Sequence, residues 1–263
     1  MSTSQNQALT LAEKVAIVTG GSRGIGAAIA IELAKRGAKV AITFVSPSSE
    51  KLADEVISKI KSLNNGASAI KIKADMHELG SPEKIITETT AAFGNSIDIL
   101  VNNAGAAYIA PLAQVTAEGF TNVMNINVRS VVLTTQAALP HLRSPGRIIN
   151  IGSAMGRLGQ PGVSIYSATK AALEALTRGW AAELGPAGHT VNVVAPALTA
   201  TETNRSAGVT ESDLAAGMRQ MTPMEHRLGE PEDIALAVAM IAEPSSRWIT
   251  GQTIQAGGGI LMT

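Results

Sequence analysis

Apolar and polar positions form two alternating kinds of pattern along this chain. Short apolar runs rich in valine and isoleucine predict strands, and they lie at residues 14–19, 39–45, 68–74, 97–102, 146–152, 190–195 and 253–257. Longer segments repeat apolar residues at helical spacing, and they predict helices at residues 24–37, 48–66, 81–94 and 167–185. The strand runs are continuously apolar, so both of their faces should be buried. The pattern predicts an α/β fold, a doubly wound parallel sheet of about seven strands with helices on both faces.

Residues typical of helix ends support these limits. Ser48 and Ser81 are predicted N-caps, and Pro82 suits the first turn of a helix. The helices are predicted to end at glycines, which are Gly37, Gly66, Gly94 and Gly185.

One long segment, residues 198–230, interrupts the rhythm and is only loosely helical. A segment of this length between regular elements is typical of a lid over a functional site. The sequence contains no repeat and no Pro/Gly-rich linker. We therefore predict a single domain over residues 13–263, preceded by a flexible tail at residues 1–12.

Composition excludes several classes of function. The chain has 21 basic and 21 acidic residues, so a zero formal charge offers no attraction for nucleic acid or an anionic membrane. It has no cysteine, which excludes disulfides and thiol nucleophiles. The first twelve residues do not resemble a signal peptide, and no apolar run is long enough to span a bilayer. These features predict a soluble, cytoplasmic protein.

The sequence TGGSRGIG, residues 19–26, stands between the first predicted strand and the first predicted helix. At such a corner Gly20 permits the turn, Gly24 lets the backbone approach a pyrophosphate, and Gly26 lets helix and strand pack closely. The free N–H groups and positive dipole end of the helix attract phosphates. This context predicts a dinucleotide site, and a glycine-rich turn without a ligand is the alternative.

Three further motifs accompany this loop: NNAG at 102–105, YSATK at 166–170, and Ser153, thirteen residues before Tyr166. Together with the T-G-x-x-x-G-x-G spacing, they resemble the short-chain dehydrogenase/reductase family over residues 12–263. The resemblance implies a Rossmann-type fold, a nicotinamide cofactor and oxidoreductase activity.

The second predicted strand bears on the choice of nicotinamide cofactor. A preference for NAD is associated with a carboxylate at the end of this strand, but this chain has Phe44 there. Arg23 is placed like the family's phosphate-binding arginine, and Ser46 is expected to add a hydrogen bond. The guanidinium suits a phosphate dianion, so we predict NADP(H).

The resemblance extends the predicted cofactor site beyond the glycines. Asp75 is expected to reach the adenine amino group, with a cap or loop role as the alternative, and Asn102 to tie down the central sheet. Where the family commonly has Pro-Gly, this chain has Pro196 followed by Ala197, so the nicotinamide loop is expected to sit slightly differently. The other residues implied in cofactor binding are Ser22, Ile25, Met76, Ala104, Gly105, Tyr166, Lys170, Thr199 and Thr201.

Tyr166 and Lys170 are four residues apart on a predicted helix, so they share one face. A tyrosine with a pKa near 10 is a poor acid–base catalyst at neutral pH. We expect the ammonium of Lys170, helped by an oxidised nicotinamide ring, to lower the pKa of Tyr166.

By resemblance, Tyr166 donates a proton to a carbonyl and Ser153 stabilises the same oxygen. Asn127 is similar to the family's asparagine that keeps a helix kinked around a water and is expected to link Lys170 to solvent, with Asn122 and Asn125 nearby as alternatives. The four histidines are scattered without ligand spacing, so no metal site is predicted; they are His77, His141, His189 and His226.

The sequence therefore favours an NADPH-dependent carbonyl reductase acting on a small or medium ketone, β-ketoacyl or polyketide-derived compounds included. The main alternative is a cofactor-binding family member with a non-redox or regulatory role, and epimerisation or dehydration is a third. Substrate selectivity is expected from residues after Ser153, from Ala107 and Tyr108, and from the lid. Helices at 111–142 and 164–185, with Trp180 as a contact, resemble those that form the family's four-helix interfaces, so a homotetramer is predicted and a dimer is the alternative.

Overall fold

The computed structural model describes residues 9–262. One sheet has the strand order β3-β2-β1-β4-β5-β6-β7 and is parallel throughout. Its strands are β1 (Val15–Val18), β2 (Lys39–Phe44), β3 (Ala69–Lys73), β4 (Ile97–Asn102), β5 (Leu142–Ile151), β6 (Thr190–Pro196) and β7 (Thr253–Ala256). The predicted doubly wound parallel fold is confirmed.

The α-helices within residues 9–262 cover both faces of this sheet. They are α1 (Gly24–Lys35), α2 (Pro47–Lys61), α3 (Ser81–Phe93), α4 (Ala117–Met124), α5 (Ser130–Ala138), α6 (Ser164–Leu184), α7 (Glu202–Ser206), α8 (Asp213–Met221) and α9 (Pro231–Ala242). None of the helices in this part of the chain is long and apolar enough to cross a membrane.

Successive residues of each strand enter two separate cores. Ala16 and Val18 of β1 pack on the side of α1, α2 and α9, whereas Ile17 packs on the side of α3, α5 and α6. All three side chains are fully buried. Burial on both faces explains why the strand runs are continuously apolar.

The strand order reverses between β1 and β4. The chain leaves β1 towards β2 and β3, then returns to place β4 on the other side of β1. The loops that follow β1 and β4 therefore diverge and leave a crevice at the carboxyl ends of these strands. The glycine loop and the NNAG segment form the two sides of this crevice.

Several predicted helix limits were wrong. The N-cap of α2 is Ser46, not Ser48, because Ser46 and Ser49 exchange the two hydrogen bonds of a capping box. The N-cap of α3 is Gly80, since the hydroxyl of Ser81 donates to the carbonyl of Asp75 at 2.6 Å.

The end of α2 also differs from the prediction. The helix stops at Lys61, before Gly66. Asn65 holds the connecting turn against the end of α1, because its side-chain amide donates to the carbonyls of Ala34 and Lys35.

The segment from 111 to 142 is helical in pieces. A 3₁₀ turn at Leu112–Gln114 precedes α4, and a π-helical turn at Asn125–Arg129 separates α4 from α5. The sequence analysis did not predict α9, which packs against α1.

The predicted flexible tail falls partly outside the described residues, which begin at Leu9. Within the described part, Leu11 is fully buried in the core, and its backbone N–H donates to the carbonyl of Arg36 at 2.8 Å. Residues 9–12 are therefore held against the end of α1.

The segment 198–230 contains α7 and α8 and has a small core of its own. Ala200, Ala215, Met218 and Leu228 are buried together, and Met155 from the loop after β5 packs against them. The lid is thus joined to the segment that follows Ser153.

Candidate active site

The glycine loop is built closely against neighbouring backbone. Gly20 has a positive φ of 64°, and its N–H donates to the hydroxyl of Thr43 at 2.8 Å. A Cβ on Gly26 would lie 2.3 Å from the carbonyl oxygen of Gly20. Only glycine fits at residue 26, so the first turn of α1 can approach the loop closely.

Asn103 holds this loop from the side of β4. Its side-chain amide donates to the carbonyls of Thr19, at 2.8 Å, and Gly20, at 3.2 Å. The backbone N–H of Asn103 donates to the hydroxyl of Thr19 at 3.0 Å. Sequence reasoning missed this residue, although it lies within the quoted NNAG motif.

A cavity of about 440 Å³ opens at the crevice between β1 and β4. Most of the predicted cofactor residues line it: Gly20, Ser22, Arg23, Gly24, Ile25, Gly26, Asp75, Met76, Ala104, Gly105 and Thr201. The lining also includes residues that the sequence did not indicate, among them Thr43, Ser49, His77, Asn103, Ile126 and Thr203.

Six other predicted cofactor residues are absent from this lining, and two of them, Tyr166 and Lys170, lie with Ser153 at the end of β5. The side chain of Asn102 donates to Asn150 and Thr135, and so joins β4 to β5 and α5. Ser46 caps α2. Pro196 ends β6, and the hydroxyl of Thr199 donates to a neighbouring carbonyl within its own loop.

The cavity rim carries a positive charge and little negative charge. The side chain of Arg23 is exposed and makes no hydrogen bond or ion pair with residues 9–262. Asp75 supplies the one carboxylate among the cavity-lining residues, and it accepts from the backbone N–H of His77 at 2.9 Å. The cavity therefore suits an anionic ligand, and a dinucleotide phosphate fits its donors.

The π-helical turn places Asn127 beneath the NNAG loop. The side-chain amide of Asn127 donates to the carbonyl of Ala106 at 2.9 Å and to the hydroxyl of Thr169 at 3.0 Å. Its oxygen accepts from the N–H of Ala106 at 2.8 Å. Asn127 is fully buried and connects the loop after β4 to α6.

Ser153, Tyr166 and Lys170 converge at the end of β5. The hydroxyls of Ser153 and Tyr166 are hydrogen bonded. The ammonium of Lys170 donates to the carbonyl of Ile151 at 2.9 Å and lies 5.7 Å from the centre of the Tyr166 ring. A Cβ on Gly105 would lie 3.6 Å from this ammonium, so the NNAG loop lies next to Lys170.

Comparison with known proteins identifies the chain. A profile of the family described as enoyl-(acyl carrier protein) reductase matches residues 20–261. The chain belongs to the short-chain dehydrogenase/reductase family. This confirms the resemblance found in the motifs, and the protein is an oxidoreductase of this type.

Two sequence relatives and one solved structure are similar to this short-chain dehydrogenase/reductase over most of its length. Dehydrogenase OXI1 of Cochliobolus heterostrophus is 49% identical over 226 residues, which cover 85% of this chain and 97% of the relative. Hydroxynaphthalene reductase arp2 of Aspergillus fumigatus is 38% identical over 254 residues, covering 93% and 91%. A short-chain dehydrogenase of Burkholderia cenocepacia J2315, solved in complex with NADP, is 40% identical, covers 95% of this chain and 99% of its own, and has a TM-score of 0.88.

The pKa of Tyr166 in this short-chain dehydrogenase/reductase differs from the sequence expectation. Burial raises the pKa of Tyr166 above its ordinary value, and the hydrogen bond from Ser153 partly opposes this rise. The predicted lowering by Lys170 is absent in the chain alone. Burial instead lowers the pKa of Lys170 to about 8, so the ammonium stays mostly charged at neutral pH and loses its proton in mildly alkaline solution.

Histidines contribute no metal site to this arrangement. Residues 9–262 contain no group of three or more histidine, aspartate or glutamate side chains placed to hold a metal ion. His189 accepts from the N–H of Gly146 at the opposite end of the sheet, and His141 is paired with Asn95.

We expect the buried Lys170 to make stability rise with pH. Its pKa is about 8 in the folded chain and 10.5, the ordinary value for lysine, in the unfolded chain. Between these pH values the unfolded chain therefore binds more protons than the folded chain. The free energy of unfolding of the wild type minus that of Lys170→Met should rise by about 3 kcal/mol over this range. Urea unfolding of the cofactor-free proteins measures the difference, and a flat difference from pH 8 upward would contradict the assignment.

Proposed function

We propose that this short-chain dehydrogenase/reductase is an NADPH-dependent carbonyl reductase that acts on a small or medium ketone. The observation that carries the proposal is the hydrogen-bonded pair of Ser153 and Tyr166 beside Lys170, whose ammonium lies close to Gly105 in the lining of the phosphate-suited cavity. A nicotinamide cofactor supplies the hydride when it is bound. The residues of the chain supply the proton and stabilise the developing charge.

In this reaction Tyr166 donates the proton of its hydroxyl to the carbonyl oxygen of the substrate. Its raised pKa keeps the hydroxyl protonated at neutral pH, as a proton donor requires. The hydroxyl of Ser153 donates a hydrogen bond to the same oxygen, where negative charge develops. The fixed ammonium of Lys170 stabilises the tyrosinate that remains and helps its reprotonation.

The residues of the cavity fit NADP(H). Gly20 and Gly26 give the backbone the close approach that a pyrophosphate needs, and the start of α1 directs free N–H groups towards it. The guanidinium of Arg23 has no partner within residues 9–262 and is free to pair with a 2′-phosphate. The NADP complex of the Burkholderia relative supports this choice.

The substrate entrance is apolar. Ile109 and Leu112 are largely exposed in the loop after β4, and Met221 and Met224 are largely exposed in the lid. Tyr108 is turned away to support its loop: its hydroxyl accepts from the N–H of Thr116 at 3.2 Å. An apolar ketone suits these surfaces, and the name of the hydroxynaphthalene reductase relative supports including hydroxylated aromatic ketones.

The experiment that tests the proposal follows NADPH consumption by absorbance. The substrates are simple ketones, β-ketoesters and hydroxylated aromatic ketones, with NADH in parallel and Tyr166→Phe as the control. Turnover by the wild type that Tyr166→Phe abolishes supports the proposal. Tight NADPH binding without turnover of any substrate class counts against it and favours the non-redox alternative.

The homotetramer stays a prediction. Light scattering of the purified protein measures its oligomeric state directly.

We expect Arg23→Ala to change the cofactor preference. The KM for NADPH should rise about 10- to 100-fold, because the variant loses a charge-assisted contact to the 2′-phosphate. The KM for NADH should change by less than about 2-fold, since NADH lacks that phosphate. Arg247→Ala, at another exposed arginine, is the matched control. Equal losses with both cofactors would show that Arg23 does not contact the 2′-phosphate.

A further inference from the structure

An ion pair between a buried carboxylate and a partly exposed arginine joins the segment of Ser153 to the helix of Tyr166. Glu174 lies on α6, one turn beyond Lys170, and is almost fully buried. The Nε atom of Arg157 donates to both of its carboxylate oxygens, at 2.8 and 3.1 Å. Arg157 lies four residues after Ser153, so the pair connects the two parts of the catalytic site.

The turn that carries Ser153 packs directly on α6. Ser153 caps the 3₁₀ turn Ala154–Gly156, because its Oγ accepts from the N–H of Met155. A Cβ on Gly156 would lie 3.3 Å from the backbone of Lys170. The same Cβ would lie 3.5 Å from Oε1 of Glu174. Gly156 and the ion pair therefore fix the turn at one place on the helix.

The placement of this pair is unusual for a pair that serves stability alone. The buried Glu174 carboxylate loses hydration, and an ion pair with one partner exposed to solvent contributes little to stability on average. Here the two charges lie on the segments that must stay aligned for Ser153 to hydrogen bond Tyr166. A loop shift of about 1 Å is enough to lose a catalytic alignment.

We propose that Arg157 and Glu174 are positioning residues, which hold Ser153 at hydrogen-bonding distance from Tyr166. This inference rests on the proposed function for its kinetic consequence, but the geometry it describes has a readout of its own. Loss of the pair lets the 153–157 turn move on α6 and weakens the hydrogen bond between the two hydroxyls. Neither residue touches the reacting atoms.

The direct test follows the ionisation of Tyr166. The chain has only two tyrosines. In a protein with ¹³C-labelled tyrosine at Cζ, the ring carbon that bears the hydroxyl, Tyr108→Phe therefore leaves Tyr166 as the one labelled signal in an NMR spectrum. Because the hydrogen bond from Ser153 lowers the pKa of Tyr166, both Ser153→Ala and Arg157→Met should raise it. Arg157→Met added to Ser153→Ala should produce no further rise. Lys170, the charged group beside the ring, is unchanged in all these proteins.

Kinetics provide the second readout. Arg157→Met and Glu174→Gln should each lower kcat about 10-fold, while the affinity for NADPH stays within about 2-fold. Arg157→Lys should recover most of kcat, because it restores the positive charge opposite Glu174. Arg178→Met, at an exposed arginine on the same helix, is the matched control and should retain the wild-type kcat.

The outcomes separate positioning from stability. A lower melting temperature with unchanged kcat and unchanged Tyr166 ionisation would overturn the proposal. If Arg157→Met does not fold, Arg157→Lys and Glu174→Gln decide it by the same two readouts. If the wild type reduces no ketone, the proposed function fails, but the Tyr166 titration still supports or overturns the role of the pair.

Discussion

Tyr166→Phe should lower kcat/KM for ketone reduction by about 10³-fold, within the range expected for loss of a general acid. The substitution removes one oxygen atom, the proton donor, and keeps the ring that packs beside Lys170. Binding of NADPH should change by less than about 2-fold. Steady-state turnover and fluorescence titration with NADPH measure the two quantities separately.

Tyr108→Phe is the matched control for this variant. The hydroxyl of Tyr108 accepts from the N–H of Thr116 in the loop after β4, outside the Ser153–Tyr166 pair. Its loss should affect KM more than kcat. Comparable losses of kcat in the two variants, or full activity of Tyr166→Phe, would show that Tyr166 is not the proton donor.

Gly26→Ala should weaken NADPH binding by more than about 100-fold. The new methyl group would lie 2.3 Å from the carbonyl oxygen of Gly20 and 2.5 Å from the side-chain nitrogen of Asn103. Because the nearest atom belongs to the backbone, the glycine loop itself has to move, and the pyrophosphate loses its donors. Overpacking of this kind should also lower the free energy of unfolding by about 1–3 kcal/mol.

Gly80→Ala tests the same chemical change at a permissive position. Gly80 has right-handed backbone angles, and a Cβ there would meet no atom within 4 Å. Its free energy of unfolding should stay within about 1 kcal/mol of the wild type, with NADPH binding unchanged. Isothermal titration calorimetry and urea unfolding compare the two alanine variants. Wild-type affinity in Gly26→Ala would contradict the tight packing of the loop.

The ion pair of Arg157 and Glu174 changes how the catalytic site is understood. Ser153 and Tyr166 lie on different elements, β5 being followed by a loop and then α6, and their hydroxyls have to meet. Asn127 secures the loop after β4 to α6, and the ion pair secures the loop after β5 to the same helix. Both loops are therefore attached to α6, the helix that carries Tyr166.

Much of the fold was predictable because its signals are local. The strands at 14–19 and 97–102 were predicted to within a residue or two, since continuous apolar runs report burial on both faces. Helix limits were less predictable. Ser46 and Ser48 are both good N-caps in sequence, and only the capping box with Ser49 selects Ser46.

The candidate site shows the same division. The spacing of Tyr166 and Lys170 places them on one helix face without knowledge of the rest of the fold. Asn103 was missed because its function depends on carbonyls more than 80 residues earlier in the chain. The pKa of Tyr166 was expected to fall because its neighbour is a cation, but burial, a property of the folded chain, raises it.

The sequence by itself determined the α/β alternation, the glycine loop and the candidate catalytic residues, because each depends on periodicity or spacing within about 20 residues. Tertiary structure alone decided the strand order that opens the crevice between β1 and β4. It also decided the π-helical turn that positions Asn127, and the pairing of Arg157 with Glu174. These features arise from packing between segments that are distant in the chain, and such packing leaves no periodic signal in the sequence.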